Sequence, residues 1–554
     1  MMRWCVLVLI GVGLASQAAG ESPRGRGSDA DGLTVVPLAV GQEADPPQGD
    51  ERRAQRTEKQ RRPKGDAAER AIPPDVAALG RLSWVLGRPT DRSVTVSVLF
   101  AGGLEGYCEY GIASGDYTRK TGMVSFSPGK PVVLVLDQLS SDKQCFYRLR
   151  YRKPGEGAFV EGAEHSFHTQ RAPGSTFTFV IQGDSHPERP QMFAPSLYAQ
   201  MLRAAATDRP DFYVTIGDDF SVDKLRTINA DAVRQIYLNQ RYFLSLVGRS
   251  APLLLVNGNH EQAALCNLDG TPNNVAVWAQ NARNTLFPQP VPDGFYTGDA
   301  KPVEHIGLLR DYYAWTWGDA LFIVIDPYWH SPKPVDNVLG ERKKTRDMWA
   351  VTLGDDQYWW FKQTLEQSQA KYKFVFAHHV LGTGRGGIEQ ADLFEWGGKN
   401  KKDVNAFAQK RPGWELPIHQ LMAASGVSIF FQGHDHTFVR QQLDGVVYQT
   451  LPLPADPYYA FYNKDAYRTG DAFPGSGRVR VTVSPQEVRV EYVRSYLPKD
   501  ATPEHPNGEI AFAYELPAGT KAKAQHPARG DGATGARPTP TISEVTTERP
   551  APTT

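Results

Sequence analysis

Five times along this chain a short apolar run stops on carboxylate, amide or imidazole side chains. "VSIFFQGHDHTF" carries Val427 to Phe431 into Gly433, His434, Asp435 and His436. "FTFVIQGDSH" ends on Asp184 and His186, and "DFYVTIGDD" on Asp218. "PLLLVNGNHE" ends on Asn259, His260 and Glu261, and "KFVFAHH" on His378 and His379. Runs this short and apolar, bounded by turn residues, read as buried strands. In an open α/β sheet, groups at the carboxyl ends of neighbouring strands converge on one crevice. Four of the five clusters have Gly directly before the first polar residue, which permits a tight turn and close backbone approach. Taken singly, an Asp after a strand is ordinarily a helix cap and an Asn a turn former. A lone His is ordinarily a surface or satisfied core residue, but five such clusters in series are not explained that way.

The inventory is Asp184, His186, Asp218, Asn259, His378, His434 and His436. Carboxylate and amide oxygens mixed with imidazoles suit divalent or trivalent first-row metals (Fe, Mn or Zn) rather than calcium or a thiolate site. Seven ligands are too many for one tetrahedral zinc but enough for two ions that share a carboxylate. A pair about 3.5–4 Å apart is the arrangement used on phosphate esters.

The surrounding sequence sets the context. The 554 residues are 41% hydrophobic, with Lys plus Arg and Asp plus Glu both at 61, so no net charge draws the chain to nucleic acid or anionic membrane. Residues 1–20 have a basic residue, an apolar run and small residues near Ala19, the layout of a cleaved signal peptide. The expected location is therefore secreted or periplasmic, with no transmembrane segment. Of the remaining cysteines, Cys108 and Cys145 lie in one β-rich region, where a disulfide and two buried thiols are both open readings. No CxxC spacing for structural zinc occurs.

Residues 21–75 are polar and charged and read as a disordered linker. Residues 76–171 have period-two runs, "SVTVSVLF", "PVVLVLDQL" and "QCFYRLRYR", separated by turn residues, which predicts a small β-sandwich. Residues 172–497 alternate strands with helical stretches such as 195–206 and 230–247, the pattern of an α/β layered domain closed by a hairpin around Ser484–Gln486. Residues 498–554 form a C-terminal extension with a Pro/Thr-rich disordered tail; its Arg529-Gly530-Asp531 reads as chance.

"GDSH", "GDD", "GNHE", the "VFAHH" histidine and "GHDH", in that order, resemble the calcineurin-like metallophosphoesterase superfamily over 172–497. The preceding sandwich resembles the fibronectin type III-like domain of purple acid phosphatases. The resemblance implies an α/β/β/α fold, two sheets packed face to face and flanked by helices. It implies one metal on Asp184, His186, Asp218 and His436, and another on Asp218, Asn259, His378 and His434, with Asp218 bridging. His260 is then the catalytic group facing substrate, Glu261 orients it, and His379 is not a ligand. Purple acid phosphatases have glycine where His186 stands and a metal-binding tyrosine where Ser221 stands, so here His186 replaces the tyrosine as ligand.

The implied activity is hydrolysis of phosphomonoesters by hydroxide generated on the metal pair. One alternative is a phosphodiesterase of nucleotides or lipid head groups; another is a non-catalytic cell-surface binding protein. No basic stripe flanks the motifs, which argues against long nucleic acid as partner. No Gly-x-Ser-x-Gly elbow supports a serine hydrolase.

Overall fold

The computed structural model describes residues 71–519, apart from 336–338, 340–342 and 381–383. The expected signal peptide, nearly all of the 21–75 linker and the Pro/Thr-rich tail with Arg529-Gly530-Asp531 lie outside the described residues. Among the described residues, no helix is long and apolar enough to cross a membrane.

The period-two runs form two antiparallel sheets. Leu82–Gly87, Val94–Phe100 and Val132–Leu136 make a three-stranded sheet. Leu104–Gly111 and Gln144–Arg152 anchor the second. Alternate side chains from both, such as Val96, Val98, Leu134, Tyr147 and Leu149, close a dry core. Cys108 and Cys145 are free and buried. Cys108 pairs in register with Leu149, four residues along the strand from Cys145. That offset is roughly 13 Å at strand rise, beyond disulfide reach. Burial pushes the Cys108 thiol up to about 12 and that of Cys145 up to about 11, so both are inert small hydrophobes.

The rest of the chain packs two sheets face to face. The first has the order Leu253–Leu255, Phe212–Thr215, Phe177–Gln182, Gly477–Val483, Glu487–Arg494, Ile510–Pro517. Its first three strands are parallel and the last three run as antiparallel hairpins. The second sheet centres on four parallel strands, Ala320–Val324, Tyr372–Phe376, Ile429–Gln432 and Val446–Thr450. Phe179, Phe212, Val479 and Val481 from the first sheet meet Phe322, Phe374, Phe376 and Phe431 from the second in a core made largely of aromatic rings. Helices Pro195–Thr207, Ala230–Gly248 and Val275–Leu286 cover the outer face of the first sheet. Gly354–Gln367 and Ile418–Ala424 cover that of the second. The layering is helix, sheet, sheet, helix, as the resemblance implies.

One element lies beyond the expected end of the domain at 497. Ile510–Pro517 pairs along Glu487–Arg494, so part of the C-terminal extension completes the first sheet. Its alternation of Ile510, Phe512, Tyr514 and Leu516 with smaller or polar residues is a half-buried strand pattern. The short helix Pro74–Ala78 likewise belongs to the fold rather than to the linker, with Val76 buried against the first-sheet helices.

The β-sandwich is fixed to the layered domain through a buried arginine. Arg241, on the helix Ala230–Gly248, donates from Nε to Ser83 Oγ (3.1 Å) and from Nη1 to Ser97 Oγ (3.2 Å). Its Nη2 donates to the Ser97 carbonyl (2.7 Å), and Nη1 also reaches the Leu286 carbonyl. Among the described residues no carboxylate pairs with it, and burial pulls its pKa down to about 9. Truncation removes a donor from three backbone carbonyls, of Ser83, Ser97 and Leu286, and from two serine hydroxyls at a closed interface. Arg241→Ala is expected to lower stability by about 3 kcal/mol or more, read as a fall in the denaturant midpoint.

Candidate metal centre

All five clusters lie at the carboxyl ends of their strands and meet between the two sheets. The first sheet delivers Asp184 and His186, Asp218, and Asn259 with His260; the second delivers His378, His434 and His436. All eight are buried. Four of them hold a left-handed backbone although none is glycine: His186 at φ 44°, Asp218 at 58°, His434 at 66° and His436 at 64°. Such conformations cost of order 1–3 kcal/mol each and persist where the surroundings over-determine them. The preceding glycines are required by close approach. A Cβ on Gly433 would collide with the Asp184 carboxylate and Ile216, and one on Gly258 with Asp218 and Glu261.

The clusters are tied to one another. His434 N donates to both Asp184 oxygens (2.9 and 3.0 Å), which links the two sheets. His260 N donates to Asp218 Oδ1 (2.9 Å). Asp184, His186 and His436 form one group whose ligand atoms lie within 4.8 Å of one another, and Asp184, Asp218 and His378 form another. His434 Nδ1 is 3.0 Å from Asn259 Oδ1. Asp218 Oδ2 stands 3.6 Å from His186 Nε2 and 3.1 Å from His378 Nε2, between the two groups.

Hydrogen bonding on the far side of two imidazoles tests whether a cation fits. His378 Nδ1 is 2.9 Å from the Ile216 carbonyl and His186 Nδ1 is 2.9 Å from Glu188 Oε1. Both partners only accept, so each Nδ1 carries the proton and each Nε2 is aimed inward, an arrangement typical of ligating histidines. His378 Nε2 then faces the Asp218 carboxylate, and His186 Nε2 faces His436 Nε2 at 3.0 Å. Acceptors opposed at these distances need positive charge between them. Without metal, protons supply it: burial opposes charge on His378, yet Asp218 and Asp184 lift it to about 10. His436 is instead pushed down to about 3 by burial. The donor set fits first-row metal ions.

Around this set lie residues that the motifs do not announce. His260 Nδ1 donates to Asp223 Oδ1 (2.7 Å), and its Nε2, 3.9 Å from Asp218 Oδ2, accepts from Arg189 Nη2 (2.8 Å). Glu261, expected to orient His260, is bonded elsewhere. It accepts from the backbone N–H groups of Gly258, Asp219 and Phe220, so it clamps the loops carrying Asn259 and Asp218 together. A carboxylate directly after His260 points away along the chain, whereas Asp223 approaches from the loop after the neighbouring strand. His379 is buried, stacks on His434 with ring centroids 3.8 Å apart, and is 2.6 Å from the Tyr328 hydroxyl through Nδ1. Ser221 is buried beside Asp218. Asp435, between the last two histidines, is held by Arg385, Gly386 N and Tyr467 away from the pair. No spacing rule finds Arg189 or Asp223; "GDSHPER" and "GDDFSVD" carry them only as ordinary polar residues.

The layered domain with a β domain in front is a fold shared with solved structures. No family model and no curated protein matches the chain. Among solved structures it is similar to PhoD, at 14% identity over 78% of this chain and 88% of that one, with a TM-score of 0.54. It is also similar to a purple acid phosphatase from yellow lupin (Lupinus luteus) seeds, at 17% identity over 78% and 74%, TM-score 0.49. A weaker likeness is to phosphopantetheinyl hydrolase from Mycobacterium tuberculosis, at 16% identity over 50% and 91%, TM-score 0.26.

Because the opposed acceptors call for positive charge between them, metal is expected to stabilise the fold. Stripping the protein with a chelator should lower its melting temperature, and restoring Mn, Fe or Zn should return about 4 kcal/mol at a thousandfold excess over Kd. Asp218→Asn should abolish most of that recovery and lower the amount of metal bound per chain. With Ser221 in place of tyrosine, the iron-loaded protein should show no tyrosinate absorption band in the visible.

Proposed function

We propose that this chain is a binuclear metal-dependent phosphoesterase that hydrolyses phosphomonoesters. The observation that carries the reading is the buried pair of groups Asp184–His186–His436 and Asp184–Asp218–His378, with Asp218 Oδ2 set between the His186 and His378 imidazoles. In this reading one ion is held by Asp184, His186, Asp218 and His436, and the other by Asp218, Asn259, His378 and His434. The bound ions would supply an acidified water and neutralise charge on the phosphate oxygens. The chain's own part is positioning. The left-handed turns and the Glu261 clamp hold the ligands in fixed places before substrate arrives, so little reorganisation remains for the chemical step. Closure by the tightly packed loops lowers the local dielectric and strengthens each interaction with the phosphoryl group.

His260 is the group set to act on substrate. Its Nδ1–H is held by Asp223 and its Nε2 accepts from Arg189; on taking up a proton and parting from Arg189, Nε2 would donate to a phosphoryl oxygen or to the leaving oxygen. Asp223 positions the ring, in the way a carboxylate orients a catalytic imidazole in other hydrolases.

The test uses metal-reconstituted protein with p-nitrophenyl phosphate and bis-p-nitrophenyl phosphate. Monoester turnover is expected, reduced at least about 1,000-fold by Asp218→Asn or His378→Ala. His260→Ala should lose about 100- to 10,000-fold in kcat, the range of general acid–base catalysis. Asp223→Asn should lose less, in kcat rather than KM. Near-normal turnover by folded His260→Ala would remove it from the mechanism, and a strong preference for the diester would make the enzyme a phosphodiesterase.

A further inference from the structure

We propose that Arg189 takes the third non-bridging oxygen of a phosphomonoester and thereby sets the preference of this site for monoesters over diesters. The inference rests on the phosphoesterase reading above and assigns its substrate class to one residue.

Arg189 is held at the edge of the centre by groups that belong to it. Its Nη2 donates to His260 Nε2 (2.8 Å), and its Nε is 3.1 Å from Glu188 Oε1. The same carboxylate oxygen receives the Nδ1–H of His186 at 2.9 Å. One acid therefore fixes both a candidate ligand and the guanidinium, and the two move together. A further, weak side-chain contact runs from Nη1 to Met192 Sδ at 3.9 Å. A guanidinium carries five N–H donors, so two have no acceptor among the described residues. The side chain is 23% exposed and its guanidinium sits against His260, so it is reachable from solvent at the edge of the centre.

Arg385, on the opposite flank, differs. Its Nη1 is held by the His434 carbonyl and by Asp435 (3.1 Å), so its anchor is the loop after the strand and not the His260 ring.

The chemistry distinguishes the two esters. A monoester dianion has three non-bridging oxygens, and two ions span two of them. The third keeps its charge and matches the planar N–H fork of an arginine. In a diester that oxygen carries carbon and no charge, so the same arginine gains nothing and crowds the second alkyl or aryl group.

The experiment compares kcat/KM on p-nitrophenyl phosphate and bis-p-nitrophenyl phosphate for wild type, Arg189→Ala and Arg189→Lys. Arg189→Ala should lose roughly 100-fold on the monoester, within the range for removing a charged hydrogen-bonding partner. On the diester it should lose less than about threefold, and Arg189→Lys should fall between, having charge without the fork. Calorimetric titration of the metal-loaded proteins with inorganic phosphate should show affinity weakened about tenfold or more in Arg189→Ala at unchanged metal content. Equal losses on both esters would mean that Arg189 acts only by holding His260, and unchanged phosphate affinity would also overturn the proposal. A wild type that turns over neither ester would instead defeat the phosphoesterase reading, while the phosphate titration still decides what Arg189 binds.

Discussion

Buried acceptors that face each other dominate this structure. Asp184 and Asp218 are both fully enclosed, and the inward nitrogens of His186, His378 and His436 are aimed at them or at one another. Two unpaired buried carboxylates cannot persist without compensating positive charge. Protons on His186 and His378 can provide it, and so can metal ions, and the two compete for the same lone pairs. The Nδ1 bonds to Ile216 and Glu188 fix which nitrogen is offered, so the competition concerns occupancy and not ring orientation.

Holding that arrangement requires a rigid surround. The aromatic core between the sheets fixes their separation, and His434 N reaches across it to Asp184. Behind the first sheet, Asp219 shows how far the desolvation extends. Burial pushes its carboxyl up to about 8, and Gln182 donates to it at 2.7 Å, in a network that includes Tyr198 and Tyr213. A second aspartate beside Asp218 thus avoids adding another negative charge to the site. The β-sandwich adds its own restraint, since Arg241 anchors it to the helix whose Gln240 bonds Ser185 and the Asp219 carbonyl.

The ligand set was legible because it obeys a local rule, a strand followed by glycine and a ligand, repeated five times. The sandwich strands were legible for a related reason: period two is a local signal. Three features were not. The strand Ile510–Pro517 follows a Pro- and Gly-containing stretch, and its partner lies in the hairpin before it, so it read as an extension. The state of Cys108 and Cys145 depended on a four-residue register offset that only pairing defines. Asp223 and Arg189 act through contacts between loops after different strands, 37 and 71 positions from His260, and no spacing rule joins them.

That division has a physical basis. Ligands need a fixed direction relative to the sheet, so they sit within a few residues of a strand end, where backbone geometry sets direction. Groups that meet the substrate need direction relative to the ligands, and side-chain contact can set this from any nearby loop. His260 belongs to both classes. Its backbone N–H is tied to Asp218, so the motif finds it, while its ring is aimed by Asp223 and Arg189, which the motif does not contain. Glu261 illustrates the converse: it is adjacent in sequence, yet its carboxylate turns back to three backbone N–H groups because those donors would otherwise be buried without acceptors at the turn. Metal chemistry is therefore written in the motifs, and discrimination between substrates in the contacts that surround them.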